Sequence, residues 1–251
     1  MANDSLTSVH RALKVLTALG SRPLGVQAVA DEIGTEKTQV SRTLKALSEE
    51  GFVERDPRTL EYALGWRVFA LAAAGTDNRL RHNAAKVLRG LTRDLGEAAY
   101  LTVREGASAL TVLSEVSGRG IQAREWVGRT SPLNCTSSGR ALLLGLDADE
   151  VAEILSGPLP GIGKAPRTVG AVLKRLRQEH RAGYVVSAEE YEVGLTAVAA
   201  PVLGFQGAPI AAVNVSLPSF RLTPDGLTHV IAAVAAAAAS LSSGSRGLSG
   251  T

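Results

Sequence analysis

Residues 24–50, LGVQAVADEIGTEKTQVSRTLKALSEE, constrain the fold most, because they read as two short helices separated by nothing longer than a tight turn. Val26, Val29, Ala30 and Ile33 fall at helical spacing and make one apolar stripe. Gly34 stops that helix by the left-handed route, and Thr35 is placed to cap the next one by accepting from its exposed N–H groups. In the second helix Val40, Leu44 and Leu47 share one side, while Lys37, Thr38, Gln39, Ser41, Arg42 and Lys45 fall on the other. That polar face is rich in donors and lacks any large apolar group. Two readings fit it: a solvated face in some helical domain, or a recognition helix laid in a DNA major groove and propped by the shorter helix before it.

The next residues decide between them. Gly51 to Arg55 alternates, residues 56–59 (DPRT) are turn chemistry, and Leu60 to Leu64 alternates again, which predicts a two-stranded hairpin. A helix-turn-helix followed directly by a hairpin is a winged helix, whose wing residues Arg55 and Arg58 reach phosphates or the minor groove. A further helix, residues 5–19, is expected to back the pair through Leu6, Val9, Ala12, Leu13 and Leu16.

A chain of 251 residues is comfortable as two domains. The net charge is +3, yet residues 1–66 hold eight Lys/Arg against nine Asp/Glu, so the DNA-binding half is not basic in sum. Its charges are instead segregated: Lys37, Arg42 and Lys45 lie within the recognition helix, whereas Glu49, Glu50, Glu54, Asp56 and Glu61 come after it. That predicts weak non-specific DNA affinity and a need to dimerise, since counterion release scales with the phosphates neutralised. The apolar candidate for a membrane span, residues 230–241, is alanine-rich and short, and no charged-then-apolar leader opens the sequence. With one cysteine, Cys135, the chain forms no internal disulfide and reads as cytoplasmic.

A helix over 66–74, an interruption at 75–78 and a second helix over 80–95 mark the domain boundary. From Ala98 the period changes to two. Residues 99–104 and 109–114 make a hairpin around 105–108, with a third strand expected at 120–127. Helices follow at 137–146, 149–155 and 169–182, strands at 184–187, 195–203 and 209–217, and a last helix at 225–241. Strands and helices do not alternate, which favours an α+β domain around a largely antiparallel sheet over a dinucleotide-binding fold. The glycine-rich tail 242–251 is expected to be disordered.

Catalytic constellations are wanting. His10, His82, His180 and His229 stand singly, without metal-ligand spacing. Cys135 has no neighbouring histidine and reads as a small buried filler, and Ser137 and Ser138 lack a nucleophile-elbow motif. Glu189, Glu190 and Glu192 read as a solvated acidic cluster. Binding is better supported. Residues 132–142, PLNCTSSGRAL, start a helix with hydroxyls and small residues, leaving N–H groups uncovered for an anion. Asn214 and Ser216 share one face of a strand whose other face is Val213, Val215 and Leu217. Capping plus a solvated sheet face explains these residues as well as a ligand pocket does.

Three sets of residues carry a resemblance. They are SVHRALKVL with the wing RDPRTLEYALG, then PLNCTSSGRALL, and then GLTAVAAPV with AAVNVSLPSFRLT. Together and in this order they resemble the IclR family of bacterial transcriptional regulators over nearly the whole chain. The resemblance implies a two-domain α+β protein: a winged helix-turn-helix (1–66), a linker helix and hinge (67–78), and a GAF-like effector domain (79–241) with a largely antiparallel sheet. It also implies an effector pocket at Ala123, Thr136, Ser137, Ser138, Ser187, Ala197, Asn214 and Ser216. Asn134 stands where many members have histidine, and Arg140 where lysine is common. Ser187 matches a position that is acidic in some relatives, and Ala197 one that is cysteine in others, so the implied ligand is less polar than the smallest keto acids. The expected protein is no enzyme, needs no cofactor or metal and contacts no membrane. Its partners are double-stranded operator DNA and a small carboxylate. Repression is expected over activation, as a homodimer and, through paired effector domains, a homotetramer. The competing reading is a metabolite-binding protein or enzyme that uses the C-terminal pocket without any DNA role.

Overall fold

The computed structural model describes residues 2–74, 78–116 and 126–245, which divide into two compact units, Met1–Asn78 and Arg79–Thr251. In the first, α1 (Ala2–Leu19), α2 (Val26–Ile33) and α3 (Lys37–Glu49) precede a hairpin of β1 (Val53–Arg55) and β2 (Tyr62–Leu64), and α4 (Trp66–Ala74) follows. Gly34 has φ 65°, and the Thr35 N–H returns to the Ala30 carbonyl at 3.0 Å, so α2 ends in a left-handed cap. Thr35 is thereby used in closing α2. Glu36, not Thr35, is the N-cap of α3, and it makes no side-chain capping bond.

The hairpin pairs Val53 with Leu64 and Arg55 with Tyr62, and Leu24 and Tyr62 exchange N–H···O bonds of 3.0 and 2.9 Å that tie it to the segment before α2. Val15, Ala18, Leu19, Leu24, Val29, Ala30, Val40, Leu44, Val53 and Tyr62 form the core of this unit. The inward stripe of α1 is therefore Val15, Ala18 and Leu19. Val9 and Leu13, expected inside, are each 56% exposed.

The second unit holds α5 (Asn78–Leu95), β3 (Ala98–Glu105), β4 (Ser108–Glu115), β5 (Thr130–Pro132), α6 (Ser137–Ala141), α7 (Ala148–Ile154) and α8 (Val169–Ala182). It continues with β6 (Val185–Ala188), β7 (Leu195–Leu203), β8 (Pro209–Pro218) and α9 (Pro224–Ser245). Among the described residues six strands form one antiparallel sheet in the order β5-β4-β3-β8-β7-β6. Period-two alternation sorts its side chains onto two faces. Ala99, Leu101, Val198, Ala200, Val213 and Val215 pack with Leu88 of α5 and Val234 and Leu241 of α9. Ala199 and Ala212 pack on the other face with Leu133, Ala141, Leu142, Val151, Val172 and Leu176.

Three expectations are corrected. Helix α6 stops at Ala141, because the next amides, Leu143 and Leu144, bond three residues back to Arg140 and Ala141 in a tightened turn. Helix α9 runs past Ser242, whose hydroxyl accepts the Leu203 N–H and donates to the Ala238 carbonyl, both at 2.8 Å. Residues 242–245 are therefore helix, while 246–251 lie outside the described residues. Over Pro224–Ser242 the same helix is long and apolar enough to cross a bilayer, contrary to the expected shortness, but Val230, Val234, Ala237, Ala238 and Leu241 are core residues of the sheet face. Strand β5 was not anticipated, and most of the strand expected at 120–127 lies outside the described residues.

Candidate functional site

Burying Val40 and Leu44 turns the opposite side of α3 outward. Lys37, Thr38, Gln39, Ser41, Arg42 and Lys45 are all exposed, on one helix, with donors at spacings that reach several base pairs. Lys45 lies 3.8 Å from Glu49 in an exposed pair, which holds it weakly. Arg42 has no partner among the described residues. In the wing the Asp56 carboxylate accepts the Arg58 and Thr59 amides at 2.7 and 3.3 Å, a turn closed by its own side chain. The two wing arginines differ. Arg55 donates to the Leu60 carbonyl at 3.4 Å and lies 5.5 Å over the Tyr62 ring, so it is held against the hairpin. Arg58 extends from the turn with its side chain free among the described residues.

In the second unit, α6 packs on β6, β7 and β8. Thr136 caps it by accepting the Gly139 N–H at 3.1 Å while donating to the Pro132 carbonyl at 2.7 Å. The amides of Ser137 and Ser138, both buried, have no hydrogen-bond partner among the described residues. Cross-strand register places Ser187, Ala197 and Ser216 in one row, and Asn214 one step along on the same face. This is the face of Ala199 and Ala212, the one covered by α6 to α8, so Asn214 is buried rather than solvated. Ala123 lies outside the described residues.

Ser187 is used internally, donating to the Cys135 carbonyl at 2.9 Å. Around it lies an ion network that sequence spacing does not show. Arg140 has no exposed surface: its Nε donates to both Glu179 oxygens at 2.9 and 3.1 Å, Nη1 to Glu190 Oε2 at 2.6 Å and the Asn134 carbonyl at 3.0 Å, and Nη2 to the Val186 carbonyl at 2.9 Å. Glu190, expected in a solvated cluster, is 3% exposed and also bridges Arg175 at 3.1 Å. The Asn134 amide donates to the Pro160 and Pro166 carbonyls at 2.6 and 2.8 Å, pinning the loop before α6. Burial pushes the Glu179 carboxyl above its ordinary range in spite of Arg140. Burial likewise pushes the Cys135 thiol up to about 11, with Arg140 opposing, so it stays an un-ionised filler and not a nucleophile.

Sequence reasoning missed three polar residues on the same face. Tyr100 lies directly opposite Asn214 and Thr102 opposite Ala212, with Thr111 opposite Thr102, all three buried. Thr102 Oγ1 donates to Asn214 Oδ1 at 3.3 Å. Desolvation pushes the Tyr100 phenol up to about 12, which keeps it a donor. The alternation of β3, with Tyr100 and Thr102 against Ala99, Leu101 and Val103, carried the signal. The pairing of β3 with β8, across 112 residues for Thr102 and Asn214, did not show. A cleft of about 430 Å³ lies elsewhere, where Ala200, Pro201 and Leu203 of β7 meet His180, Ala238 and Ser242, and none of Tyr100, Thr102, Thr111, Ser187, Asn214 and Ser216 lines it.

Fold and surfaces together define a class, the winged-helix transcriptional regulators that join a DNA-binding domain to a ligand-binding one. The model of the bacterial transcriptional regulator IclR C-terminal domain matches residues 72–243, and that of the IclR helix-turn-helix domain matches residues 8–57. The chain belongs to the IclR family of bacterial transcriptional regulators. It is 30% identical over 244 residues to the HTH-type transcriptional regulator KdgR of Escherichia coli (strain K12), covering 95% of this chain and 92% of that one. It is 32% identical to the glycerol operon regulatory protein of Streptomyces griseus, covering 95% and 96%. An IclR regulator from Alicyclobacillus acidocaldarius superposes with TM-score 0.82 at 25% identity over 95% of this chain and 98% of that one. An IclR homologue from Microbacterium hydrocarbonoxydans, solved with 4-hydroxybenzoate, superposes at 0.80 with 23% identity over 95% and 99%. These relatives are regulators, and the chain is a DNA-binding transcriptional regulator and not an enzyme.

Proposed function

We propose that this protein is a cytoplasmic repressor whose domain 79–241 senses a small organic acid, and whose domain 1–66 releases operator DNA when the acid binds. One observation carries the effector reading: the Ser137 and Ser138 amides at the start of α6 have no partner among the described residues, and neither does Nδ2 of Asn214, buried on the sheet face that α6 packs on. A carboxylate fits the amides of residues 137 and 138. Asn214 and Ser216 hold its other polar end, Ala197 walls the apolar part, and Thr136 and Ser187 fix the frame. Repression is supported by likeness to HTH-type transcriptional repressors AllR, 31% identical in Escherichia coli (strain K12), and an acid by the 4-hydroxybenzoate of the Microbacterium protein. On DNA, Thr38, Gln39, Ser41 and Arg42 read bases, while Lys37, Lys45 and Arg58 hold phosphates and Arg55 stiffens the wing that presents Arg58.

Dimerisation is supported by apolar surface left open in the first unit: Val9 and Leu13 on α1, and Trp66 and Phe69 on α4, 77% and 57% exposed with ring centroids 5.6 Å apart. The homodimer buries these, and paired effector domains would make the homotetramer. The deciding experiment is a gel shift on DNA from upstream of its own gene, with and without a panel of small carboxylates. Retardation relieved by one acid is expected; a chain that never shifts this DNA, or shifts it equally with every acid, refutes the reading. Leu13→Glu with Phe69→Glu should give a monomer by sedimentation and weaken operator binding by about a hundredfold, since paired half-sites are lost.

A further inference from the structure

The sheet floor beneath α6 holds more hydrogen-bonding capacity than the protein itself uses. Tyr100 is 4% exposed and Asn214 7%, and they stand directly opposite each other on β3 and β8, so their Cβ atoms leave the same face about 5 Å apart. The Thr102 hydroxyl takes the Asn214 carbonyl oxygen, which turns Nδ2 of that amide away as a spare donor. Among the described residues neither that Nδ2 nor the Tyr100 hydroxyl has a partner, and neither is sealed from solvent-accessible space. Buried donors are ordinarily paired, because leaving one unmade is costly. Two spare donors side by side, reachable and on the sheet face that α6 packs on, point to an acceptor supplied from outside the chain.

We propose that Tyr100 is a specificity-determining residue of the effector site: its hydroxyl and the Asn214 amide together donate to one oxygen of the bound acid, remote from the carboxylate held by Ser137 and Ser138. The site then prefers carboxylates that carry a second oxygen function, a hydroxyl or oxo group, over the same skeleton without it. A site built to hydrogen-bond such a group rejects the analogue lacking it, because both donors are then left unpaired. This rests on the effector-site reading above, and the experiment separates the two.

Calorimetric titration of the full-length chain, of Tyr100→Phe and of the Asn214→Ala/Ser216→Ala double variant would use three matched pairs: 4-hydroxybenzoate and benzoate, lactate and propionate, 4-hydroxybutyrate and butyrate. The unaltered chain should bind the oxygenated member of at least one pair about tenfold or more tightly, the worth of one good hydrogen bond. Tyr100→Phe should bring that pair within about threefold while keeping the benzoate-type or plain acid affinity. Its melting temperature without acid should not fall, because the hydroxyl it lacks bonds to nothing in the protein. The double variant should lose the oxygenated member's advantage, binding it no more tightly than the plain acid. Discrimination kept by Tyr100→Phe but lost in the double variant overturns the role of Tyr100 and leaves the site standing. Binding unchanged in the double variant overturns the site itself. A chain that discriminates no pair, or a Tyr100→Phe protein that melts lower, also overturns the proposal.

Discussion

Arg140 is charged with none of its surface exposed, and it is held because each nitrogen of its guanidinium donates to an oxygen: Glu179, Glu190 and the carbonyls of Asn134 and Val186. Such a group contributes little over a well-packed apolar core, but removing one partner strands the others. Arg140→Ala should therefore cost about 3–5 kcal/mol in urea unfolding, because buried Glu179 loses its paired cation and buried Glu190 is left with Arg175 alone. Arg140→Lys keeps the charge but not the fork, and should recover only part of that loss. In the first unit Arg42 is exposed and has no partner among the described residues, so its proposed role on DNA can be tested without a folding cost. Arg42→Ala should leave the melting temperature unchanged while weakening the cognate operator by about 1–3 kcal/mol and random DNA much less. Equal losses on both, by fluorescence anisotropy, would make it a phosphate contact only. The two arginines also show what a sequence reveals of a side chain. Arg42 was legible from helical period alone, since its neighbours in space are its neighbours in the chain. Arg140 and Glu190 are 50 residues apart, and nothing local distinguishes a glutamate that will be buried by a distant arginine from one that will be solvated.

Among the elements α6 is the most tightly specified, although it has only five residues. Gly139 lets it approach the preceding loop: a Cβ there would lie 2.5 Å from the Leu133 Cα and 2.7 Å from the Leu133 carbonyl oxygen, backbone atoms that cannot swing away. Gly139→Ala should displace the start of α6, lowering unfolding free energy by about 1–3 kcal/mol and, if the effector reading holds, weakening acid binding beyond what stability explains. The paired measurements are a melting curve and a titration with the acid found by the gel-shift panel. Helices and strands with long regular patterns were readable in the sequence: α4, α8 and β7 begin and end where periodicity places them. Two kinds of element were not. The stripe of α1 was misassigned because Val9 and Leu13 keep helical spacing while lying outside, and apolar spacing does not say whether the partner is the same chain or another copy. The polar floor of the sheet was half read, because Asn214 and Ser216 reveal their own face but only the β3–β8 pairing brings Tyr100 and Thr102 to it.

At the scale of the whole molecule, function requires that the two units share free energy. The chain passes from the wing through α4 and α5 into the sheet, so an acid that favours one conformation of that connection must alter operator affinity. Linkage makes the effect mutual: if the acid lowers operator affinity twentyfold, operator DNA lowers acid affinity by the same factor, a coupling of about 1.8 kcal/mol. Uncoupling the domains without disturbing either requires variants that touch only one of them. Asn214 and Ser216 meet that condition, since both lie on β8 and neither contributes to the core of the first unit. Replacing both by alanine leaves Thr102 without its acceptor, a modest local cost, and removes the side chains proposed to hold the far end of the acid. Operator affinity without acid should stay within about twofold of the unaltered chain, while the acid-induced change in affinity disappears. An operator titration at several acid concentrations reads both quantities at once. Should the double variant respond to the same acid at the same concentration, the sensing site lies elsewhere in the second unit, and the cleft between β7, α8 and α9 becomes the place to look.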